Sequence, residues 1–202
     1  MSSSTKVLFN LDWNRSDTGN SLISKITTDK LQNKSTSSME VLVLSNLYPD
    51  EVRPACGVFV QYQVSKLSQR GHEITVLSPH PYVPPIPGLP EQYRRLHSQV
   101  QYERKESGVH VKYPRTLSLP NPWTQPVTAL VSRFRSKNWV QQLESSNCDP
   151  DIINVHVAQP NGYAALAMRE YFDVPLVTTI HGADVNLLYD QVVNRYFIKK
   201  SA

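Results

Sequence analysis

The order strand, loop, glycine-opened helix, strand between Met39 and Ser78 constrains the fold more than any other feature of this sequence. Glu40-Val41-Leu42-Val43-Leu44-Ser45-Asn46 is a short β-branched and Leu-rich run, the pattern of a strand buried on both faces. Gly57 then opens a helix on which Val60, Val64 and Leu67 recur at i, i+4 and i+7. Gly71 stands where such a helix ends in the left-handed conformation. Glu73-Ile74-Thr75-Val76-Leu77-Ser78 supplies the second strand and completes a parallel βαβ unit. The pattern returns later. Asp151-Ile152-Ile153-Asn154-Val155-His156 reads as a strand, Ala164, Ala165 and Ala167 mark one face of a helix, and Pro175-Leu176-Val177-Thr178-Thr179-Ile180 is a further strand. The predicted fold is α/β, a Rossmann-like doubly wound and mostly parallel sheet.

Between these units, Pro79, Pro81, Pro84, Pro85, Pro87, Pro90, Pro114, Pro120, Pro122 and Pro126 crowd one stretch, which is expected to run as extended loops on a surface or cleft wall. Within it, Gly108-Val109-His110-Val111-Lys112-Tyr113 alternates apolar and polar residues and reads as a half-exposed edge strand. From Val127, the residues Leu130, Val131, Phe134, Val140 and Leu143 predict a long helix, stopped by Asn147-Cys148-Asp149-Pro150. Residues 1–38 are polar with weak periodicity and are expected to form a disordered extension, leaving residues 39–202 as the folded domain. That extension reads as a linker, a targeting arm or translated upstream sequence.

No apolar run approaches the ~20 residues that cross a bilayer, and the N-terminus lacks the apolar core of a secretory signal. The expected location is cytoplasmic and reducing. Cys56 and Cys148 stand apart, with no cysteine or histidine cluster at metal-ligand spacing, so neither a disulfide framework nor a metal site is predicted. A net charge of +4 identifies no partner. The basic groups Arg94-Arg95, Arg104-Lys105 and Arg133, Arg135, Lys137 read as solvated surface, because Glu91, Glu103 and Glu106 interrupt them and no nucleic-acid motif accompanies them. Tyr82, Tyr93, Tyr102, Tyr113 and Trp123 suit either stacking on sugar faces or loop packing.

In an open α/β sheet, ligands bind beyond the carboxyl ends of the strands, so the residues just after each strand are the candidates. Three such loops should converge on one rim. The first ends at Gly57, whose helix N-terminus suits a phosphate or an oxyanion, or which serves only the turn. The second holds His156 with Pro160-Asn161-Gly162. His156 is a donor to a sugar hydroxyl or a buried histidine satisfied by its neighbours. The third is His181-Gly182-Ala183-Asp184, where Gly182 permits close backbone approach and Asp184 accepts a hydroxyl or proton, or caps the next helix. Neither GxGxxG nor GxxxxGK[ST] occurs, which lowers a dinucleotide or P-loop site.

Taken together, four segments resemble the N-terminal domain of GT-B glycosyltransferases of family 4. They are Val41 to Asn46 leading to Gly57-Val58-Phe59-Val60-Gln61; Arg70-Gly71-His72 through Ser78-Pro79; Pro150-Asp151 through His156 with Pro160-Asn161-Gly162; and Pro175 through His181-Gly182-Ala183-Asp184-Val185-Asn186. The resemblance covers residues 39–190 and is similar to bacterial and archaeal enzymes of cell-surface polysaccharide assembly, of the teichuronic-acid type. It implies a retaining transferase that moves a hexose-type sugar from a nucleotide-sugar donor, without a metal or other cofactor, to a glycan or lipid-linked acceptor. It further implies catalytic roles for His156, His181 and Asp184, and substrate contacts from Gly57, Asn161, Gly162 and Gly182. Ala55-Cys56-Gly57 carries one glycine where many members have a pair. The family's donor-binding second domain, with its Glu-x7-Glu element, is not encoded before Ala202. The expectation is therefore an acceptor-binding half, inactive alone, either a truncated reading frame or one subunit that works with a C-terminal-half subunit, and in contact with the inner membrane face. The alternative is a non-catalytic glycan-binding or transferase-docking module.

Overall fold

The computed structural model describes residues 6–9, 38–82, 91–117, 125–158 and 160–181. Nine strands and four helices are described. In chain order they are β1 (Lys6–Phe9), β2 (Glu40–Leu44), α1 (Val58–Gln69), β3 (Glu73–Leu77), β4 (His80–Pro81), α2 (Glu91–Gln99), β5 (Glu103–Glu106), β6 (Val109–Lys112), β7 (Arg115–Thr116), α3 (Gln125–Glu144), β8 (Ile152–His156), α4 (Asn161–Phe172) and β9 (Leu176–Ile180). The main sheet has the order β1-β9-β8-β2-β3-β6-β5, and β4 pairs with β7 in a small second sheet.

From β9 to β6 every neighbouring pair is parallel, as crossover helices require. The edges β1 and β5 are antiparallel additions. Because β3 lies on one side of β2 and β8 on the other, the winding reverses between β2 and β8, and a crevice opens at their carboxyl ends. The register sets Leu44 against both Leu77 and Val155, so the central strands end level with one another.

The alternation along β2 explains the two-faced core. Leu42 and Leu44 join Leu77, Ile153, Val155 and Leu176 under Trp139, Leu143, Ala164, Ala165 and Met168 of α3 and α4. Val41 and Val43 join Ile74, Val76, Val109 and Val111 under Val60 and Val64 of α1. Helices thus cover both faces, and the sheet is doubly wound as predicted.

The middle of the chain departs from the sequence expectation in two ways. First, α2 forms where only loops were expected, because residues 91–113 contain no proline between Pro90 and Pro114. Second, β6 is not an edge. Glu103–Glu106 pairs beside it as β5, and its all-charged sequence gives no apolar signal but suits a solvent-facing edge. The long helix expected from Val127 is present as α3, which buries Ala129, Trp139, Val140 and Leu143 and leaves Val127, Leu130 and Phe134 exposed.

Tyr113, one of the candidates for sugar stacking, is wholly buried with its hydroxyl donating to the Pro49 carbonyl at 2.5 Å. It is a core residue. Tyr82 and Tyr102 are exposed, whereas the side chain of Tyr93 and all of Trp123 lie outside the described residues. Of the 1–38 segment, Lys6–Phe9 lies along β9 and the rest, Ser38 apart, is also outside them.

Candidate functional site

β2 and β8 end at the crevice, and each sends a side chain or loop into the same small region. His156 is the last residue of β8 and His181 follows β9 directly. Register places His156 opposite Thr179, two residues before His181, so the two rings meet: His156 Nδ1 lies 3.2 Å from His181 Nε2, with the rings nearly parallel at 16°. His181 also meets the ring of Phe59, on the first turn of α1, at a centroid distance of 4.6 Å. The first and third loops therefore touch.

The second loop joins them through Asn161 at the start of α4. Its Nδ2 donates to Asn46 Oδ1 at 3.0 Å, just past β2, and lies 3.5 Å from the His156 carbonyl. Its own Oδ1 is buried with no hydrogen-bond partner among the described residues. Buried acceptors are rarely left so, and a hydrogen-bond donor is what this atom lacks. The Gly162 amide is already used, donating to Ala158 O at 2.9 Å.

Between His156 and this helix the backbone turns through Val157 at φ 70°, a left-handed conformation that a β-branched residue rarely adopts. Its amide donates to Thr179 O at 3.1 Å, and that bond ties the strained residue to β9. Such strain persists where surrounding structure over-determines it, commonly at binding and active sites.

Electrostatically the pair is neutral near pH 7. Burial, and to a smaller extent the neighbouring His181, pushes the His156 imidazole down to about 4. Burial also lowers His181. The rim is thus a set of neutral donors and acceptors, matched to hydroxyl groups more than to a strong ionic contact.

Gly57 adopts φ 66° at the entrance to α1, and a Cβ there would sit 2.2 Å from the Leu47 carbonyl oxygen. The turn therefore requires glycine on its own account. Gly182 and Asp184 lie outside the described residues. Sequence reasoning missed Asn46, Phe59, Asn154 and Thr179. For Asn154 a signal existed, since two positions before His156 on a strand is the same face.

The strand-end loops thus gather two histidines and an open amide oxygen at the reversal point of a doubly wound sheet, and residues 56–201 match the family model described as Glycosyltransferase Family 4. The chain belongs to glycosyltransferase family 4. A Bacillus subtilis (strain 168) protein, provisionally named as the teichuronic acid biosynthesis glycosyltransferase TuaC, is 32% identical over 152 residues. The match takes in 74% of this chain and 38% of that relative, so the chain spans less than two-fifths of its length.

In this family 4 chain a second buried cluster holds the loop between β2 and α1. Asp50 Oδ1 accepts the amides of Val52 and Arg53 at 2.9 and 2.7 Å. Its Oδ2 accepts from Arg53 Nε at 2.9 Å and bonds His80 Nε2 at 2.8 Å. Burial alone would raise the Asp50 carboxyl, but the hydrogen bond from His80 and the Arg53 guanidinium outweigh it and hold it well below the usual carboxylate range. Arg104 adds a bond to the Pro49 carbonyl at 2.9 Å and ion pairs to Glu51 and Glu106. Among the described residues, no group of three or more histidine, cysteine or acidic side chains could hold a metal, and no helix is long and apolar enough to cross a membrane.

Proposed function

We propose that this rim is the acceptor side of a glycosyl-transfer site. The observation that carries the reading is the convergence of His156, His181 and Asn161 at the sheet's reversal point in a family 4 chain. In this reading, Asn161 Oδ1 accepts a sugar hydroxyl, and His156 and His181 lie where donor and acceptor meet. Gly57 lies by the donor's diphosphate, and Gly182 and Asp184 are assigned to the cleft where donor and acceptor meet. The donor is a nucleotide-sugar carrying a hexose-type unit, held against the rim by a second α/β domain in the same or another chain. Transfer proceeds with retention and uses no metal, because the amides and basic groups of the donor side stabilise the departing nucleoside diphosphate. Its acceptor is a glycan or a lipid-linked acceptor at the inner membrane face; of this, the name carried by the Bacillus relative supports the glycan, since it speaks of teichuronic acid biosynthesis.

The division of labour is testable by NMR on the 15N-labelled 202-residue chain, titrated separately with UDP, with GDP and with short neutral and uronic-acid oligosaccharides. At least one oligosaccharide is expected to shift amides at 45–48, 156–162 and 181 in a saturable way, while the free nucleotides leave them unmoved. Tight nucleotide binding, or oligosaccharide shifts confined to other surfaces, would contradict the assignment.

A further inference from the structure

Phe134 is the most exposed large apolar side chain among the described residues, with 81% of its surface open. It does not stand alone. Val127 and Leu130, 50% and 42% exposed, lie on the same outward stripe of α3, at i−7 and i−4 from Phe134, while Ala129, Ser132, Ser136, Trp139 and Val140 turn inward. Lys137 continues that stripe, and Arg133 and Arg135 adjoin Phe134 on either side. Beside the ring a groove of about 400 Å³ runs between α3 and α4, lined by Leu130, Arg133, Phe134, Lys137, Tyr163 and Ala167.

The charge around this stripe has one dominant sign. Between Glu106 and Glu144 the sequence holds no acidic residue and five basic ones, Lys112, Arg115, Arg133, Arg135 and Lys137. Of the three cations beside Phe134, only Arg133 has an acidic partner among the described residues, Glu170 of α4 at 3.5 Å, and its guanidinium lies over the Tyr163 ring at 5.4 Å. Glu144, two turns beyond Lys137, accepts from the Tyr171 hydroxyl at 2.7 Å. The stripe also stands at the height of the rim. α4 starts directly after the second rim loop, so Tyr163 in its first turn, with Leu130 and Phe134 beside it, lies level with the strand ends. Arg135 donates to the Arg115 carbonyl at 3.4 Å, on β7, and β4 and β7 continue the β3–β6 pairing past those ends in unchanged register.

We propose that the rim-side half of α3 is a contact surface for a bilayer containing anionic phospholipid. The Phe134 ring, with Leu130 and Val127, enters the boundary between headgroups and acyl chains, and Arg133, Arg135 and Lys137 bind lipid phosphates. This is the chemistry of an interfacial helix: an apolar stripe flanked by cations whose aliphatic stems lie along the apolar phase while their heads stay with the phosphates. A protein partner fits less well, because the centre of a protein interface is depleted of charge, whereas here two arginines and a lysine crowd the exposed ring. The surface follows from the stripe and its charges alone. Its use rests on the acceptor-site reading above, since a domain seated on the bilayer at rim height brings the crevice to an acceptor held there.

Vesicle sedimentation tests this on the 202-residue chain, with phosphatidylcholine alone and with phosphatidylcholine mixed with phosphatidylglycerol. The chain is expected to bind the anionic vesicles, to be released from them as salt rises, and to leave the neutral ones largely unbound. Lys137→Gln should weaken binding about fivefold, the contribution of one cation at an anionic surface, and Phe134→Ser about tenfold or more, that of burying one large apolar side chain. Both side chains are exposed, so the urea midpoints of these variants should stay at the wild-type value. Tyr62→Ser, on an exposed position of α1 across the sheet, is the control and should bind as wild type does. Failure to bind anionic vesicles, equal binding to neutral ones, or unchanged binding by Phe134→Ser overturns the proposal. So does a dimer in solution that Phe134→Ser dissociates, which would assign the stripe to a second copy of this chain. The vesicles carry no glycan, so this result and the oligosaccharide titration above fail separately.

Discussion

Gly57→Ala is expected to destabilise the domain by about 2–5 kcal/mol, because a left-handed backbone costs an L-residue about 1–2 kcal/mol and an overpacked contact adds about 1–3. Here the contact is with main chain. The new Cβ would stand 2.2 Å from Leu47 O and 2.4 Å from Leu47 C, and neither can rotate away as a flexible side chain could. Relief therefore requires the segment after β2 to move, carrying Asn46 and so the Asn161 contact with it. Urea unfolding measures the loss, and amide shifts should concentrate at 45–60. A variant within 1 kcal/mol of wild type, with an unchanged spectrum, would mean that the loop does not approach Gly57 as described.

Asp50→Ala is expected to cost about 3–5 kcal/mol at pH 7, the scale of removing a buried carboxylate from an ionic cluster, since Arg53 and His80 both lose their acceptor. The Asp50 and His80 side chains are both fully buried at 2.8 Å from each other, and Asp50 also satisfies two amides of its own turn. The pH dependence has a definite sign. The folded-state carboxyl is held below its unfolded value of about 4, so its stabilisation is complete above that pH and is lost as pH falls through the folded value. The gap between wild type and Asp50→Ala should therefore narrow below pH 4. Urea unfolding at pH 7 and pH 3 checks both the size and the trend; a gap that widens in acid would contradict the described pairing.

These two residues show what the sequence could and could not convey. β2, β3, β8 and β9 were legible because strands buried on both faces read as continuous apolar runs, and the helix positions Val60 and Val64 because one stripe alone is buried. Glu103-Arg104-Lys105-Glu106 was not, since an edge strand held by main-chain bonds needs no apolar residue. Val127, Leu130 and Phe134 helped to mark α3 although they are exposed: apolar spacing marks a stripe without saying that anything covers it.

For the site, His156 and His181 were legible from their places after strands. Gly57 was left between a turn and a ligand contact, and the Leu47 carbonyl supplies the turn requirement. Asn154 and Thr179 bond each other across neighbouring strands, and Asp50 meets His80 only after the sheet has formed. No local pattern encodes such pairs.

The central claim is that this rim takes part in glycosyl transfer, and the direct measurement is transfer itself. A chimera would join this chain, in place of the matching 152 residues, to the remainder of the Bacillus relative. Sugar transfer to a membrane-derived acceptor would be followed with labelled nucleotide-sugars, comparing wild type with His181→Ala. The account predicts turnover by the chimera and a loss of kcat of about 100-fold or more in the variant, the scale of removing one transition-state hydrogen-bond donor, with the fold retained. An active chimera in which His181→Ala leaves kcat unchanged would contradict it.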